Sequence, residues 1–147
     1  MARPPSPLNP EVPFPATVVI TNRDGVIEYV NPTFCEVTGY TLEEAIGQNP
    51  RILKSGQHPP EFYQAMWESL AAGEVWRGEL VNKRKDGSLY WEKATISPIR
   101  NSAGTIVGAS KVARDITEQK EVEEAVRRSL AAKDDFLGLV SHELRTP

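Results

Sequence analysis

The segment Val75–Ile99, VWRGELVNKRKDGSLYWEKATISPI, decides how the chain folds. Two runs rich in Val, Leu, Ile, Trp, Tyr and Thr flank Lys85-Asp86-Gly87, and Asp-Gly between such runs is the turn chemistry that joins antiparallel strands. The same punctuation recurs on both sides. Upstream, ATVVITN from Ala16 and VIEYVN from Val26 are parted by Asp24-Gly25; downstream, Asn101 to Gly104 separates the second run from TIVGASKVARDI. Five strands are expected.

Between residues 31 and 74 the texture becomes helical. Asn31-Pro32 offers a side-chain cap followed by a proline at the first helical position, with Phe34 and Val37 facing inward and Gly39 closing the turn. Thr41 and Glu44 have capping-box spacing, with Leu42, Ala45 and Ile46 as the apolar side and Gly47 after them. In PPEFYQAMWESLAAG, Phe62, Met66 and Leu70 recur at four-residue spacing before Gly73. The order β-β-α-α-α-β-β-β implies an α+β fold, one five-stranded antiparallel sheet with short helices over one face.

The remaining composition narrows the function classes. A net charge of -3 over 147 residues, with both signs interspersed, leaves no basic face for nucleic acid. A single cysteine, Cys35, excludes an internal disulfide and a multi-cysteine metal site, which fits a reducing, cytoplasmic setting. No metal site is expected, and no membrane segment either, since no run has the roughly 18 apolar residues a spanning helix needs. Residues 1–13 belong to a Pro-rich extended tail; six of the twelve prolines fall in MARPPSPLNPEVPFP, where fixed φ and missing donors disfavour both helix and central strand.

From Ile116 the pattern changes to ITEQKEVEEAVRRSLAAKDDFLGLVSHELRTP. Ile116, Leu130, Leu137 and Leu144 fall at multiples of seven and Val126 and Val140 supply the offset seam, interrupted by Glu123 and Lys133, so a long coiled-coil helix that pairs two copies is expected. Glu123 to Arg127 and Glu124 to Arg128 are i,i+4 pairs for its solvated side. At about 100° per residue, His142 lies roughly 200° from both Val140 and Leu144, which turns the imidazole outward. There it is either one more polar residue on a wet helix face or a nucleophile toward phosphorus, with Glu143 as acid-base neighbour and Thr146 one turn on to position water.

Two resemblances bear on these alternatives. NPTFCEVTGYTLEEAIGQNP, the KDGSLYWEKATISPI strand pair and the closing Asp115-Ile116-Thr117 resemble a PAS domain with its PAC portion over residues 14–117. The resemblance implies a PAS fold, with that triplet joining the sheet to a signalling helix. KDDFLGLVSHELRTP, in residues 118–147, resembles the run into the H-box of the histidine-phosphotransfer domain of sensor histidine kinases. By that resemblance His142 is the phosphoacceptor, Glu143 its acid-base neighbour, Thr146 a residue of phosphatase activity, and Pro147 a bend after the box. The chain would then be the input and first bundle helix of a histidine protein kinase. Its partners would be a second copy through the C-terminal helix, a response-regulator receiver domain and an ATP-binding kinase domain. Lacking the boxes of that last domain, the chain is not expected to phosphorylate itself.

The resemblance leaves the sensed signal open between three readings. GQNPRILKSG resembles the flavin-contacting segment of light-sensing PAS domains, which makes Asn49 and Arg51 candidate flavin contacts, but Pro50 stands where the photoreactive cysteine would be and no thiol adduct forms there. Of the polar residues that hold flavin in those relatives, Asn82 is retained, whereas Glu92 and Ala113 stand near the other two positions. Redox-sensing PAS domains with flavin adenine dinucleotide also show stretches similar to VWRGEL and NKRKDG, which would place Trp76 beside the pocket. A flavin (FAD or FMN), another small-molecule ligand, or a cofactor-free module used for dimerisation and transmission all stay open. Haem is disfavoured, since His58 precedes two prolines in a turn, and Trp67, Trp76 and Trp91 serve equally as core and sheet-face aromatics.

Overall fold

The computed structural model describes residues 15–145, with side chains described to residue 135. The Pro-rich stretch 1–13 lies outside the described residues. Five strands, β1 (Thr17–Asn22), β2 (Ile27–Val30), β3 (Trp76–Lys83), β4 (Leu89–Arg100) and β5 (Ile106–Asp115), form one sheet in the order β2-β1-β5-β4-β3, antiparallel at every junction. Between β2 and β3 run α1 (Pro32–Thr38), α2 (Leu42–Ala45), a 3-10 turn (Pro50–Leu53) and α3 (Pro60–Ala71). The expected architecture is therefore observed, with the 3-10 turn added. α4 (Thr117–Arg145) follows β5 after the single residue Ile116.

The first and last strands meet at the centre. In the β1–β5 ladder Thr21 opposes Ala109, and a Cβ on Gly108 would lie 2.1 Å from the Thr21 carbonyl oxygen, so only glycine permits this approach. Alternation along β1 buries Thr17, Val19 and Thr21 and leaves the residues between them half exposed. Val19, Ile27, Val30, Phe34, Ala45 and Leu53 form one buried cluster; Leu80, Ala94 and Ala113, backed by Phe62 and Trp76, form another.

Asn31 ties α1 to the sheet. Its Oδ1 accepts from Phe34 N (3.1 Å) and Val18 N (2.9 Å), and its Nδ2 donates to Ala16 O (2.9 Å). An N-cap of this kind contributes about 1 kcal/mol. The inward positions of α1 are Phe34 and Thr38, one turn apart, rather than Phe34 and Val37, which is only half buried. Thr38 is tolerated inside because its hydroxyl donates to the Phe34 carbonyl at 2.8 Å. Gly39 closes the helix with φ 83°. On α2 the capping box forms as expected, but Ala45 alone is buried while Leu42 and Ile46 stay exposed, because four residues present too narrow a side to the core.

The chain divides into two compact units, one ending at Asp115 and one beginning at Ile116. On α4, Glu124 takes both Arg127 (2.9 Å, i+3) and Arg128 (3.8 Å, i+4), and Glu123 pairs with Lys120 (3.9 Å) rather than with Arg127. Val122, Val126 and Leu130 are exposed along this helix. Among the described residues no helix is long and apolar enough to cross a membrane, and no cluster of His, Cys, Asp and Glu is placed to hold a metal ion.

Candidate functional site

A cavity of about 220 Å³ lies between the inner face of the sheet, the 3-10 turn and α3. It exceeds the roughly 150 Å³ that accepts a benzene ring in an apolar core. Val19, Thr21, Leu80, Asn82, Ile96, Ala109 and Lys111 line it from the sheet, and by register all of them project from the same face.

The opposite wall is a strap of backbone fixed at both sheet edges. At β2, Gly47 N donates to Ile27 O (2.9 Å) and Ile27 N donates to Gln48 O (2.8 Å). At β3, Lys54 bridges Asn82, and the imidazole Nε2 of His58 accepts from Val81 N at 2.9 Å. These contacts also cover strand edges that would otherwise offer unpaired backbone groups. Asn49 caps the turn between the clamps by accepting from Arg51 N (2.9 Å), and Asn49, Pro50, Arg51 and Leu53 all face the cavity. A Cβ on Gly25 would come within 3.0 Å of Asn49 Nδ2 and 3.7 Å of Trp67, so the glycine of the β1–β2 turn lets that turn close against the strap.

Two enclosed polar atoms in this lining lack a close hydrogen bond: Asn82 Nδ2, on a residue 4% exposed whose amide faces the Tyr90 hydroxyl, and Tyr63 Oη on α3. Burial pushes the Tyr63 hydroxyl above the usual tyrosine range, and the Lys54 ammonium sits 4.3 Å from its ring centre. Such orphan groups carry a desolvation cost that a bound partner relieves.

A polar cluster sits beside the cavity. Tyr90, opposite Asn82, is buried; desolvation drives its hydroxyl far above the ordinary range, the Glu92 charge adds to this, Asn82 offsets it, and Asp115 and Arg84 act in opposite senses. Arg84 stacks its guanidinium 4.8 Å over the Tyr90 ring, donates through Nε to Val37 O (2.9 Å) and pairs through Nη2 with Asp115 Oδ2 (3.4 Å). Lys111 and Glu92 form a second, more deeply buried ion pair.

The sequence-derived candidates divide accordingly. Asn49, Arg51 and Asn82 come together in the cavity. Trp76 does not join them; its ring packs edge-on against Phe62, with centroids 5.7 Å apart, and the tryptophan at the cavity is Trp67, half exposed at 51%. Tyr63 and Lys111 were also missed, although Tyr63 and Trp67 follow Phe62 and Met66 along α3 by one residue each and so share a neighbouring side. Cys35 packs against the α1 cluster outside the cavity lining, its thiol pushed up by burial and by Glu43 and Glu36. His58, the residue weighed for haem, already has its Nε2 engaged. Asp115 ends β5, Ile116 is the link, and Thr117 begins α4. His142 and Glu143 fall within α4 but their side chains lie outside the described residues, as does Thr146 entirely.

Comparison with known proteins agrees with this architecture. The chain is 38% identical over 120 residues to the nitrogen fixation regulatory protein of Klebsiella oxytoca, covering 82% of this chain and 24% of that protein. It is 33% identical over 111 residues to blue-light-activated histidine kinase 1 of Erythrobacter litoralis, covering 74% and 31%. The chain thus spans less than a third of either relative. Among solved structures, the one described as "Flavin Analogue Sheds Light on Light-Oxygen-Voltage Domain Mechanism" superposes with a TM-score of 0.66 at 27% identity, covering 78% of this chain and 87% of that one. A family model for the PAS domain matches residues 15–118, and the chain belongs to the PAS domain family.

Proposed function

We propose that this chain is the sensory and signal-transmitting portion of a two-component sensor histidine kinase. Occupation of the cavity is passed along β5, through Asp115, Ile116 and Thr117, to α4 and the phosphoacceptor His142. The observation that carries this reading is that β5 supplies Ala109 and Lys111 to the cavity and ends at Asp115, whose carboxylate is held by Arg84. In this reading residues 14–117 form the sensory unit and residues 118–147 the helical unit. The exposed Val122, Val126 and Leu130 give a second copy an apolar seam to cover, so α4 pairs in a homodimer. In the whole protein an ATP-binding domain would phosphorylate His142, with Glu143 as acid-base neighbour and Thr146 serving phosphatase activity, and a receiver domain would take the phosphoryl group.

The ligand best suited to the cavity is a flavin, a planar ring edged with hydrogen-bonding atoms. Asn82 Nδ2 and Tyr63 Oη are buried groups in need of such an edge, with Asn49 and Arg51 on the strap beside them. A bound flavin supplies a ring whose charge depends on its oxidation state. Pro50 and the remote Cys35 leave no thiol for a covalent adduct, which favours redox sensing over light sensing.

Absorption spectroscopy of the purified full chain tests the ligand. Visible bands of oxidised flavin, bleached by dithionite, are expected; a chain that stays colourless after incubation with riboflavin, FMN and FAD refutes it. Radiolabel from ATP, supplied with a complementary kinase domain, should reach the chain and vanish in His142→Ala. Label persisting on another residue would remove His142 from its role.

A further inference from the structure

We propose that Lys111 reads the charge of the bound group, and that its exchange between that group and the buried Glu92 carboxylate alters the ion pair at Asp115. The inference rests on the cavity holding a flavin or a similar ring able to carry negative charge.

The charged residues lining the cavity are Arg51, Lys54 and Lys111, all cations. Arg51 and Lys54 are exposed, whereas the Lys111 side chain is 14% exposed and lies on β5, the central strand. Its ammonium is ion-paired with Glu92, whose side chain is 2% exposed and which is not itself a lining residue. A buried pair of this kind adds little stability over apolar residues of similar volume, so its presence calls for another reason. Lysine also carries its charge as a compact ammonium with three rotatable donors, which can turn between partners more readily than a planar guanidinium fork.

Register supplies the reason. Glu92 and Asp115 face each other directly across the β4–β5 ladder, where two like charges repel. Glu92 is ion-paired with Lys111, and Asp115 with Arg84. An anionic edge in the cavity offers Lys111 a second partner inside a low-dielectric site, where the preference between partners is steep. When the ammonium turns to it, Glu92 loses its counter-charge and its repulsion on Asp115 rises. Arg84, stacked on the Tyr90 ring that both carboxylates influence, then feels the pull of both charges. The Arg84–Asp115 pair is thereby loosened two residues before α4 begins at Thr117. A neutral ring gives Lys111 no such alternative and leaves the arrangement at rest.

The test uses the full chain with riboflavin, oxidised or reduced anaerobically with dithionite to its anionic form. Wild type should bind the reduced ring about tenfold more tightly, which raises the two-electron potential of bound over free riboflavin by about 30 mV. Lys111→Met alone strands a buried carboxylate, so the variant measured is Lys111→Met with Glu92→Gln, which removes both charges; the preference should disappear. In the ligand-free chain, Glu92→Gln should shift the NMR signals of the Asp115 amide and the Arg84 Nε–H. An unchanged affinity ratio in the double variant overturns the ligand contact, and unmoved Asp115 and Arg84 signals overturn the coupling. If riboflavin binds in neither state, the flavin reading falls and the ligand contact with it, while the ligand-free spectra still decide the coupling.

Discussion

The guanidinium of Arg84 holds the Asp115 carboxylate at 3.4 Å across 31 residues of chain. Both side chains are part exposed, so the ion pair alone contributes less than about 1 kcal/mol. Arg84 does more: it also donates to Val37 O, Leu89 O (3.2 Å) and the Ser88 hydroxyl (3.3 Å). Urea unfolding should therefore show Arg84→Met losing about 2 kcal/mol, since several acceptors are abandoned together. Asp115→Asn should lose less than half of that. The reverse order would mean the carboxylate, not the guanidinium, organises this corner.

His58 accepts from Val81 N through Nε2, which requires a neutral ring with its proton on Nδ1. Nitrogen-15 NMR at neutral pH should report that tautomer. His58→Phe keeps an aromatic ring to stack on Phe62, now 4.2 Å from the imidazole, but offers no acceptor. Hydrogen exchange at Val81 should accelerate at least tenfold in that variant while the β4–β5 amides keep their protection. Unchanged exchange at Val81 would place the strap's anchor elsewhere.

Tyr63→Phe removes an enclosed hydroxyl with no protein partner and leaves the ring under Lys54. Stability of the ligand-free chain should rise by about 1 kcal/mol, because an unsatisfied polar group is no longer buried. Affinity for riboflavin should fall severalfold in the same variant. A loss of stability would show that the hydroxyl already has a partner in solution.

Burial raises the Tyr90 hydroxyl well above the reference value of 10.0. An acid whose folded form ionises later than its unfolded form stabilises the fold fully below the unfolded value, and that stability drains away as pH climbs beyond it. Alkaline unfolding should thus steepen above pH 10.0 in wild type and flatten in Tyr90→Phe. Ultraviolet titration should find one of the four tyrosines silent until the chain unfolds.

Local chemistry was the legible part of the sequence. The Asn31 cap on Phe34 N, the Thr41–Glu44 box and the Asp-Gly turns are self-contained, since each of these bonds is made to atoms a few residues away. Asn49-Pro50 repeats the cap of Asn31-Pro32 and could have announced the 3-10 turn. Contacts that span the chain were not legible. That Lys111 would meet Glu92, or Arg84 reach Asp115, depends on strand order and register, and alternating patterns fix only which residues share a face. The same limit explains Trp76 and Trp67: both are aromatic residues near the right elements, and only helix placement decides which one borders the cavity.

The hydroxyl of Thr17 reaches the carbonyl oxygen of Ala113, 96 positions away, because the strand made first lies against the strand made last. Closure of the sheet therefore has to wait until β5 has emerged, a late, non-local pairing of the kind that slows folding. A nascent chain cut before Ile106 lacks the strand that joins its two halves, so incomplete copies would be left to chaperones and proteases rather than accumulate.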